Sequence, residues 1–240
     1  SGSADVLEAL GVRVDLPPDA IARCIEGVGL GFLFVPAHHG ATRFVVPVRK
    51  ELGVRTIFNL LGPLTNPAGA ARQLIGVSDP RFQDTVAGAA ADLGAVKALV
   101  VCSEDGLDEL STTGATRVVE VDAGGRRAYT ITPEELGLPR ARYVAVAGGL
   151  PADNAETARR VFAGEPGPAR DLAALNGGAA IYVSGRVADL ETGVRAAGAA
   201  LDPGAVAATL ERLAALTREL SEPVVGAGAA RRGGERSETI

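Results

Sequence analysis

The feature that most constrains the fold is a strand–helix–strand pattern in the middle of the chain. Residues 73–77 and 97–103 are short apolar runs typical of buried strands, and residues 81–93 between them have a helical pattern. Two parallel strands joined in this way need a crossover over one face of the sheet, and such crossovers are right-handed. The pattern therefore predicts an α/β fold with a central sheet.

Further elements are predicted on both sides of this unit. On its N-terminal side we expect helices at 4–10 and 19–28, a buried strand at 31–37, a helix at 38–52 that Pro47 interrupts, and an ordered loop at 59–69. On its C-terminal side we expect an antiparallel pair at 117–121 and 127–131, a strand at 143–146, and helices at 153–163, 166–183, 187–200 and 203–219. One α/β domain is thus predicted over residues 1–219, followed by a disordered tail at 220–240.

Composition narrows the class of protein. The 240 residues include 24 basic and 29 acidic side chains, a net charge of −5, which argues against broad binding of nucleic acid or of an anionic membrane surface. No apolar run approaches the ~20 residues that cross a bilayer. Cys24 and Cys102 cannot make a disulfide framework, so we expect reduced cysteines in a cytosolic protein. Because the chain lacks methionine and begins at Ser1, we expect it to be part of a longer or processed polypeptide.

Two adjacent carboxylates, Asp108 and Glu109, come shortly after the second strand of the central unit. They belong to the segment 105–109 (DGLDE), at the edge where open α/β sheets bind ligands. Neighbouring carboxylates repel each other unless solvent or a cation neutralises them, and Mg²⁺ favours one or two carboxylates with phosphate oxygens and water. The segment predicts either a Mg²⁺ site or a solvated acidic loop.

The start of the first helix is a candidate anion site. Residues 1–5 (SGSAD) bring small side chains to a helix N-terminus, where backbone N–H groups can bind an anion. Ser3 is the expected N-cap residue of this helix. The alternative interpretation is an ordinary helix cap without a ligand.

A third candidate lies in the predicted helix at 38–52. Thr42 and Arg49 are seven residues apart and share a helical face, with His39 at the entry of the helix. A guanidinium can bind a carboxylate through two hydrogen bonds, so Arg49 is a candidate contact for an organic acid. The alternative is a surface arginine and a histidine without a function.

Taken together, these segments resemble anthranilate phosphoribosyltransferase. The matching blocks are 2–12 (GSADVLEALGV), 31–68 (with RTIFNLLGPLTNP at 55–67), 73–77 (QLIGV), 105–111 (DGLDELS) and 173–176 (AALN). The block at 55–67 is highly specific, and the resemblance extends over residues 1–219. It implies a nucleoside-phosphorylase-like fold, in which a mixed central sheet is flanked by helices, with the small helical domain of the family mostly absent from these residues.

The resemblance also implies a reaction in tryptophan biosynthesis. The family transfers the phosphoribosyl group of phosphoribosyl pyrophosphate to the amine of anthranilate and releases pyrophosphate, with Mg²⁺ as cofactor and usually as a cytoplasmic homodimer. Asp108 and Glu109 would bind Mg²⁺, and Ser3 would contact phosphoribosyl pyrophosphate. Arg49 would bind the anthranilate carboxylate, and the walls of the substrate channel within the hinge segment 37–67 would be His39 and Thr42. No catalytic acid or base is assigned, because the aromatic amine is itself the nucleophile.

The sequence also departs from the family pattern. Gly40 stands where the family usually has proline, and the family's Gly-Thr-Gly-Gly-Asp, Asn-x-Ser-Thr and Lys-His-Gly-Asn segments precede the point where this chain starts. We therefore expect these residues alone to be weakly active or inactive. Two other functions remain open on the same fold: a non-catalytic protein that binds nucleic acid, and a nucleoside phosphorylase.

Overall fold

A computed structural model describes residues 1–34, 58–201 and 204–221 as eight helices and four strands. The helices are α1 (Ser3–Ala9), α2 (Pro18–Val28), α3 (Phe58–Leu64), α4 (Gln83–Asp92), α5 (Pro151–Phe162), α6 (Pro168–Val183), α7 (Leu190–Ala200) and α8 (Ala205–Ser221). The strands are β1 (Arg72–Gly76), β2 (Lys97–Ser103), β3 (Thr116–Asp122) and β4 (Gly125–Ile131). Short 3₁₀ turns occupy Pro80–Phe82, Glu134–Leu136 and Tyr143–Ala145.

The four strands form one mixed sheet in the order β1-β2-β3-β4. β1 is parallel to β2, whereas β3 is antiparallel to both β2 and β4. The predicted strand–helix–strand unit and the predicted hairpin are therefore both confirmed. The register pairs Gly76 with Val101 and Ser103 with Thr116, so β1, β2 and the start of β3 meet at one edge of the sheet.

Helices cover both faces of the sheet. Side chains alternate along β2, and all of them after Lys97 are buried, as an apolar strand covered on both sides requires. One face packs against α6 and α7 through a cluster that includes Leu99, Val101, Val118, Leu175 and Val194. The other face packs against α4 through a cluster that includes Ile75, Val86, Val100, Val119 and Val121.

The two ends of the described chain meet in a separate helical cluster. Ile21 and Cys24 of α2 pack against Leu213 and Ala214 of α8, and α1 packs along α5. The backbone N–H of Arg13 donates to the Thr217 hydroxyl over 3.1 Å. In the part of the chain that the structure describes, no helix is long and apolar enough to span a membrane.

Helices α6 and α7 touch through their backbones. A Cβ atom at Gly193 would lie 2.4 Å from the carbonyl oxygen of Gly178, and one at Gly178 would lie 2.5 Å from the backbone of Val194. Only glycine fits at such a contact. The position of α6 relative to α7 is therefore tightly defined.

Two predicted strands differ from the structure. Of the strand predicted at 31–37, the described residues 31–34 form no strand, and Leu33 instead packs beside the cluster of α1, α2 and α8, while residues 35–37 lie outside the described residues. The strand predicted at 143–146 is wrong, because Tyr143–Ala145 forms a 3₁₀ turn with exposed Tyr143 and Val144. An apolar run shows that a segment is partly buried, but it does not supply the neighbouring strand that a ladder needs.

The predicted loop at 59–69 is wrong in its first half. Phe58–Leu64 is helical, with Pro63 inside it. Pro63 lies in the last turn of this short helix, where its missing N–H removes a single intrahelical hydrogen bond. Thr65 ends the helix by binding two of the last carbonyls: its hydroxyl lies 2.9 Å from Leu61 O and its N–H lies 3.3 Å from Gly62 O. The second half, 66–69, is a turn as predicted.

The remaining helices agree with the predictions within about three residues, and Gly11, Gly29, Gly164, Gly185 and Gly204 have positive φ angles at their ends. The predicted helix at 38–52 and residues 222–240 of the predicted tail at 220–240 lie outside the described residues. Residues 220 and 221 of that predicted tail instead belong to α8, which continues past the predicted helix end at residue 219.

Candidate functional site

The acidic segment lies in a closed loop between β2 and β3. At the base of the loop, the Glu104 N–H donates to Ala115 O over 2.9 Å, and the Gly106 N–H donates to Ser103 O over 3.1 Å. The loop therefore starts at the edge of the sheet where β1 and β2 end, as the sequence predicts.

Asp105 organises this loop from within. Its carboxylate accepts hydrogen bonds from the hydroxyls of Ser103, Ser111 and Thr113, and from the N–H of Leu107 over 3.1 Å. Burial by itself raises the pKa of this carboxyl group, but the four hydrogen bonds outweigh burial and hold the pKa below its ordinary value. Asp105 is thus an ionised structural acceptor whose oxygens are occupied, a role that the sequence did not reveal.

Asp108 and Glu109 differ from Asp105, because their side chains have no protein partner in the described part of the chain. Asp108 is exposed and Glu109 is half-buried, and among residues 1–34, 58–201 and 204–221 neither side chain makes a hydrogen bond or ion pair. Burial raises the pKa of the Glu109 carboxyl group, and the charges of Asp108 and Asp105 raise it further. Uncompensated negative charge of this kind would be relieved by a cation.

The donor set fits a hydrated, oxygen-liganded ion. Across the described ranges, no group of three or more His, Cys, Asp or Glu side chains could hold a metal by itself. Two carboxylates could therefore bind Mg²⁺ only together with water or the phosphate oxygens of a ligand, which is how Mg²⁺ is commonly bound.

The backbone of Asp108 lies directly on the end of β1. A Cβ atom at Gly76 would be 1.6 Å from the Asp108 carbonyl oxygen. Gly76 therefore allows the loop to sit against the sheet, and this contact joins the acid pair to the parallel strand next to β2.

The start of α1 differs from the prediction in one respect. The N-cap is Gly2, and Ser3 is the first helical residue. Ser3 does not cap because the Asp5 carboxylate reaches back and accepts the Gly2 N–H over 3.0 Å. Ser3 is exposed, and within the described structure its hydroxyl makes no hydrogen bond.

Asn154 of α5 connects the start of α1 to a diglycine turn. Its side chain donates to the Ser1 hydroxyl over 2.8 Å and accepts the Gly149 N–H over 2.8 Å. Arg159 of the same helix donates to Ala9 O at the other end of α1 over 3.0 Å. The sequence did not single out Asn154, which lies five residues after Gly149 in the first turn of α5.

The third group of predicted residues, His39, Thr42 and Arg49, lies outside the described residues. The hydrogen bonds of the α1 start go to α5 and its preceding turn, whereas those that leave the acidic loop include bonds with Ser103 of β2, Thr116 of β3 and Asn176 of α6. The start of α1 and the acidic loop are therefore positioned by different structural elements.

Asp105→Asn is expected to lower the free energy of unfolding by about 2–3 kcal/mol at pH 7, because a hydrogen bond to a charged group contributes about 1.5–3 kcal/mol. The folded pKa of Asp105 is lowered, so its contribution is complete above the unfolded pKa of about 3.9 and is lost as the pH falls through the folded value. The difference from the unmodified chain should therefore shrink in acid. Urea unfolding at several pH values measures this.

Glu104→Gln is the matched control. Glu104 is an exposed acid in the same loop that accepts one backbone N–H, from Ala115 over 2.9 Å. It should change stability by less than about 0.5 kcal/mol. An Asp105→Asn protein that is as stable as this control would contradict the structural role of Asp105.

Comparison with known protein families gives a match over most of the chain. A family model described as "Glycosyl transferase family, a/b domain" matches residues 1–207. The anthranilate phosphoribosyltransferase of Moorella thermoacetica is 50% identical over 214 residues, which cover 89% of this chain and 63% of that protein.

Two solved structures share the architecture. The crystal structure of anthranilate phosphoribosyltransferase from Thermus thermophilus matches with a TM-score of 0.85 and 50% identity over 90% of this chain and 64% of that chain. The Saccharomyces cerevisiae enzyme in complex with PRPP and Mg matches with a TM-score of 0.78 over 92% of this chain and 61% of that chain, but at 23% identity it supports the fold alone. The predicted resemblance and fold class are confirmed, and the chain spans less than two thirds of the length of each of these proteins.

Proposed function

This chain belongs to the glycosyl transferase family, whose a/b domain it carries, and from that premise we propose that it is the larger part of an anthranilate phosphoribosyltransferase. The proposed reaction moves the phosphoribosyl group of phosphoribosyl pyrophosphate to the amine of anthranilate, as a step of tryptophan biosynthesis. The observation that carries the proposal is the Asp108–Glu109 pair: two adjacent carboxylates at the ligand-binding edge of the sheet, without a protein partner in the described structure.

Mg²⁺ is the proposed cofactor, with Asp108 and Glu109 as its protein ligands. When bound, the ion would neutralise the charge of a diphosphate leaving group. The loop holds the two carboxylates at the sheet edge, because Asp105 accepts the Leu107 N–H and Gly76 allows the Asp108 backbone to rest on β1. Ser3 is proposed to donate its exposed hydroxyl to phosphoribosyl pyrophosphate.

The acceptor side of the reaction depends on residues that remain predictions. Arg49 is proposed to bind the anthranilate carboxylate, and His39 and Thr42 to line its channel within the hinge segment 37–67. The aromatic amine attacks the sugar carbon itself, and departure of pyrophosphate gives the sugar oxocarbenium character. Binding and orienting the two substrates is therefore the main task of the protein, and no general base is proposed.

The remaining parts of the proposal concern assembly and location. A homodimer is proposed for the full-length enzyme from the family resemblance. A cytoplasmic location is proposed because Cys24 and Cys102 are buried free thiols. Residues 1–219 are proposed as a single phosphoribosyltransferase domain followed by a tail, and neither nucleic acid nor a membrane is a proposed partner.

The chain covers 63% of the M. thermoacetica relative. The test joins this chain to the N-terminal third of that relative, where the family resemblance places the Gly-Thr-Gly-Gly-Asp segment. We expect the fusion to consume anthranilate in the presence of phosphoribosyl pyrophosphate and Mg²⁺, and this chain alone to be weak or inactive. In the fusion, Asp108→Asn should lower kcat/KM by at least about 100-fold, because a catalytic metal contributes several kcal/mol. Anthranilate fluorescence measures turnover.

Asp122→Asn is the control for this substitution. Asp122 is an exposed acid at the end of β3 whose side chain accepts the Gly124 N–H over 2.8 Å, away from the acidic loop. It should leave kcat/KM unchanged. A fusion without turnover, or an Asp108→Asn fusion that matches the control, would overturn the proposal. Salt-dependent DNA binding would favour the nucleic-acid alternative, and phosphorolysis of thymidine would favour the phosphorylase.

A further inference from the structure

We propose that Asn176 is a positioning residue for the Asp108–Glu109 pair, and that it acts through the backbone of Leu110. The inference rests on the proposed function, because it assigns a role toward the cation that the pair is proposed to bind. Asn176 lies on α6, 66 residues after Leu110 in sequence, and belongs to no other part of the proposed site.

The side-chain amide of Asn176 binds both backbone groups of Leu110. The Leu110 N–H donates to Asn176 Oδ1 over 3.0 Å, and Asn176 Nδ2 donates to Leu110 O over 2.9 Å. Nδ2 also donates to Leu172 O of its own helix over 3.1 Å, which fixes the orientation of the amide. Leu110 directly follows Glu109, so these two hydrogen bonds fix the position of the backbone on the C-terminal side of the acid pair.

The support behind Asn176 is rigid. Leu110 is fully buried and packs in the same core cluster as Leu175 and Ala179, the neighbours of Asn176 on α6. α6 is itself held against α7 by the backbone contact between Gly178 and Gly193. A side chain on such a support can hold a loop to within a few tenths of an ångström, which a site for Mg²⁺ requires.

The backbone of the acid pair is thus held on both sides, whereas its two carboxylate groups have no partner in the described structure. On the N-terminal side, Asp105 binds the Leu107 N–H, and Asp108 rests on Gly76. On the C-terminal side, the attachment is Asn176. Because the two carboxylates repel each other and make no hydrogen bonds in the described structure, it is the attachment of the flanking backbone that fixes their positions before a cation binds.

The experiment measures binding of Mn²⁺ alone to this chain by electron paramagnetic resonance, since Mn²⁺ shares the oxygen ligands of Mg²⁺. Asn176→Ala should weaken Mn²⁺ affinity by about 10-fold or more, the usual effect of removing a group that orients metal ligands. Asn176→Leu is the second variant, because leucine has the same number of side-chain heavy atoms as asparagine and a higher helix propensity, while it removes both hydrogen bonds to Leu110. Asp108→Asn should abolish binding.

The control is Gln83→Ala, because Gln83 is also a core-facing amide that binds two backbone carbonyls. Its Nε2 donates to Val100 O and to Arg117 O over 2.8 Å each, on the face of the sheet covered by α4. Gln83→Ala and Asn176→Ala should both lower the melting temperature, but the control should leave Mn²⁺ affinity within about 2-fold. Amide hydrogen exchange at Leu110 should accelerate only in the Asn176 variants.

The outcomes separate the two proposals. If Asp108→Asn abolishes Mn²⁺ binding while Asn176→Ala and Asn176→Leu bind as the unmodified chain does, the positioning role is overturned and the metal site stands. If Gln83→Ala weakens binding as much as Asn176→Ala, the effect is general destabilisation and the positioning role is likewise overturned. If Asp108→Asn binds Mn²⁺ as tightly as the unmodified chain, the metal assignment of the proposed function falls.

Discussion

Gly76→Ala is expected to destabilise the protein by about 3 kcal/mol and to weaken Mn²⁺ binding. The added Cβ would lie 1.6 Å from the Asp108 carbonyl oxygen and 2.6 Å from its carbonyl carbon, so the backbone of one segment must move. Overpacking of this kind costs about 1–3 kcal/mol, and backbone atoms cannot avoid it by a rotamer change as a flexible side chain can. Urea unfolding and the Mn²⁺ titration measure the two effects.

Gly198→Ala is the matched control. Gly198 lies in α7, its φ is not positive, and an added Cβ would have no atom within 4 Å. Alanine there should stabilise the helix by about 0.5–1 kcal/mol. If Gly76→Ala were as stable as the unmodified chain, the close contact between the Asp108 backbone and the end of β1 would be contradicted. The acidic loop would then not be held against β1 at this point.

Glu120→Ala is expected to cost about 3–5 kcal/mol, because Glu120 is a buried carboxylate surrounded by four donors. Only 1% of its side chain is exposed. It pairs with Lys97 over 3.6 Å and Arg127 over 2.9 Å, and accepts the hydroxyls of Tyr129 over 2.9 Å and Tyr182 over 2.7 Å.

Its removal would leave the Lys97 ammonium, which is 16% exposed and lies 3.2 Å from the centre of the Tyr182 ring, without its counterion. Burial and the nearby Glu120 charge raise the pKa of Tyr129, so its hydroxyl remains a donor at neutral pH. Thermal and urea unfolding measure the loss.

Glu134→Ala is the control for the charge itself. Glu134 pairs with Arg140 over 2.8 Å, but both side chains are well exposed. Solvent screens such a pair, so its removal should cost less than about 1 kcal/mol. Equal effects of the two substitutions would contradict the buried network that links β2, β3, β4 and α6.

The strength of the local patterns explains which elements could be predicted. β2 was predicted with its correct bounds because a strand covered on both faces is apolar over most of its length. The β3–β4 hairpin was predicted because two short runs of strand-forming residues flank Gly124-Gly125. Residues 31–34 and 143–146 failed because their apolar runs have no strand beside them in the described structure. The loop prediction was wrong for Phe58–Leu64, because proline and glycine also occur at the end of a helix and do not always prevent one.

The sequence by itself determined the order of most helices and of the four strands and put the acidic segment after β2, where open α/β sheets bind ligands, because helix and strand patterns and turn residues act over a few neighbouring positions. Only the tertiary structure decided what each polar residue does there. Asp105 is an acceptor for the loop, Asp108 and Glu109 have no side-chain partner in the part of the chain that the structure describes, and Asn176 reaches Leu110 across 66 residues. These contacts join residues that are distant in the chain, and no local propensity encodes which side chain will meet which backbone group once helix and sheet have packed.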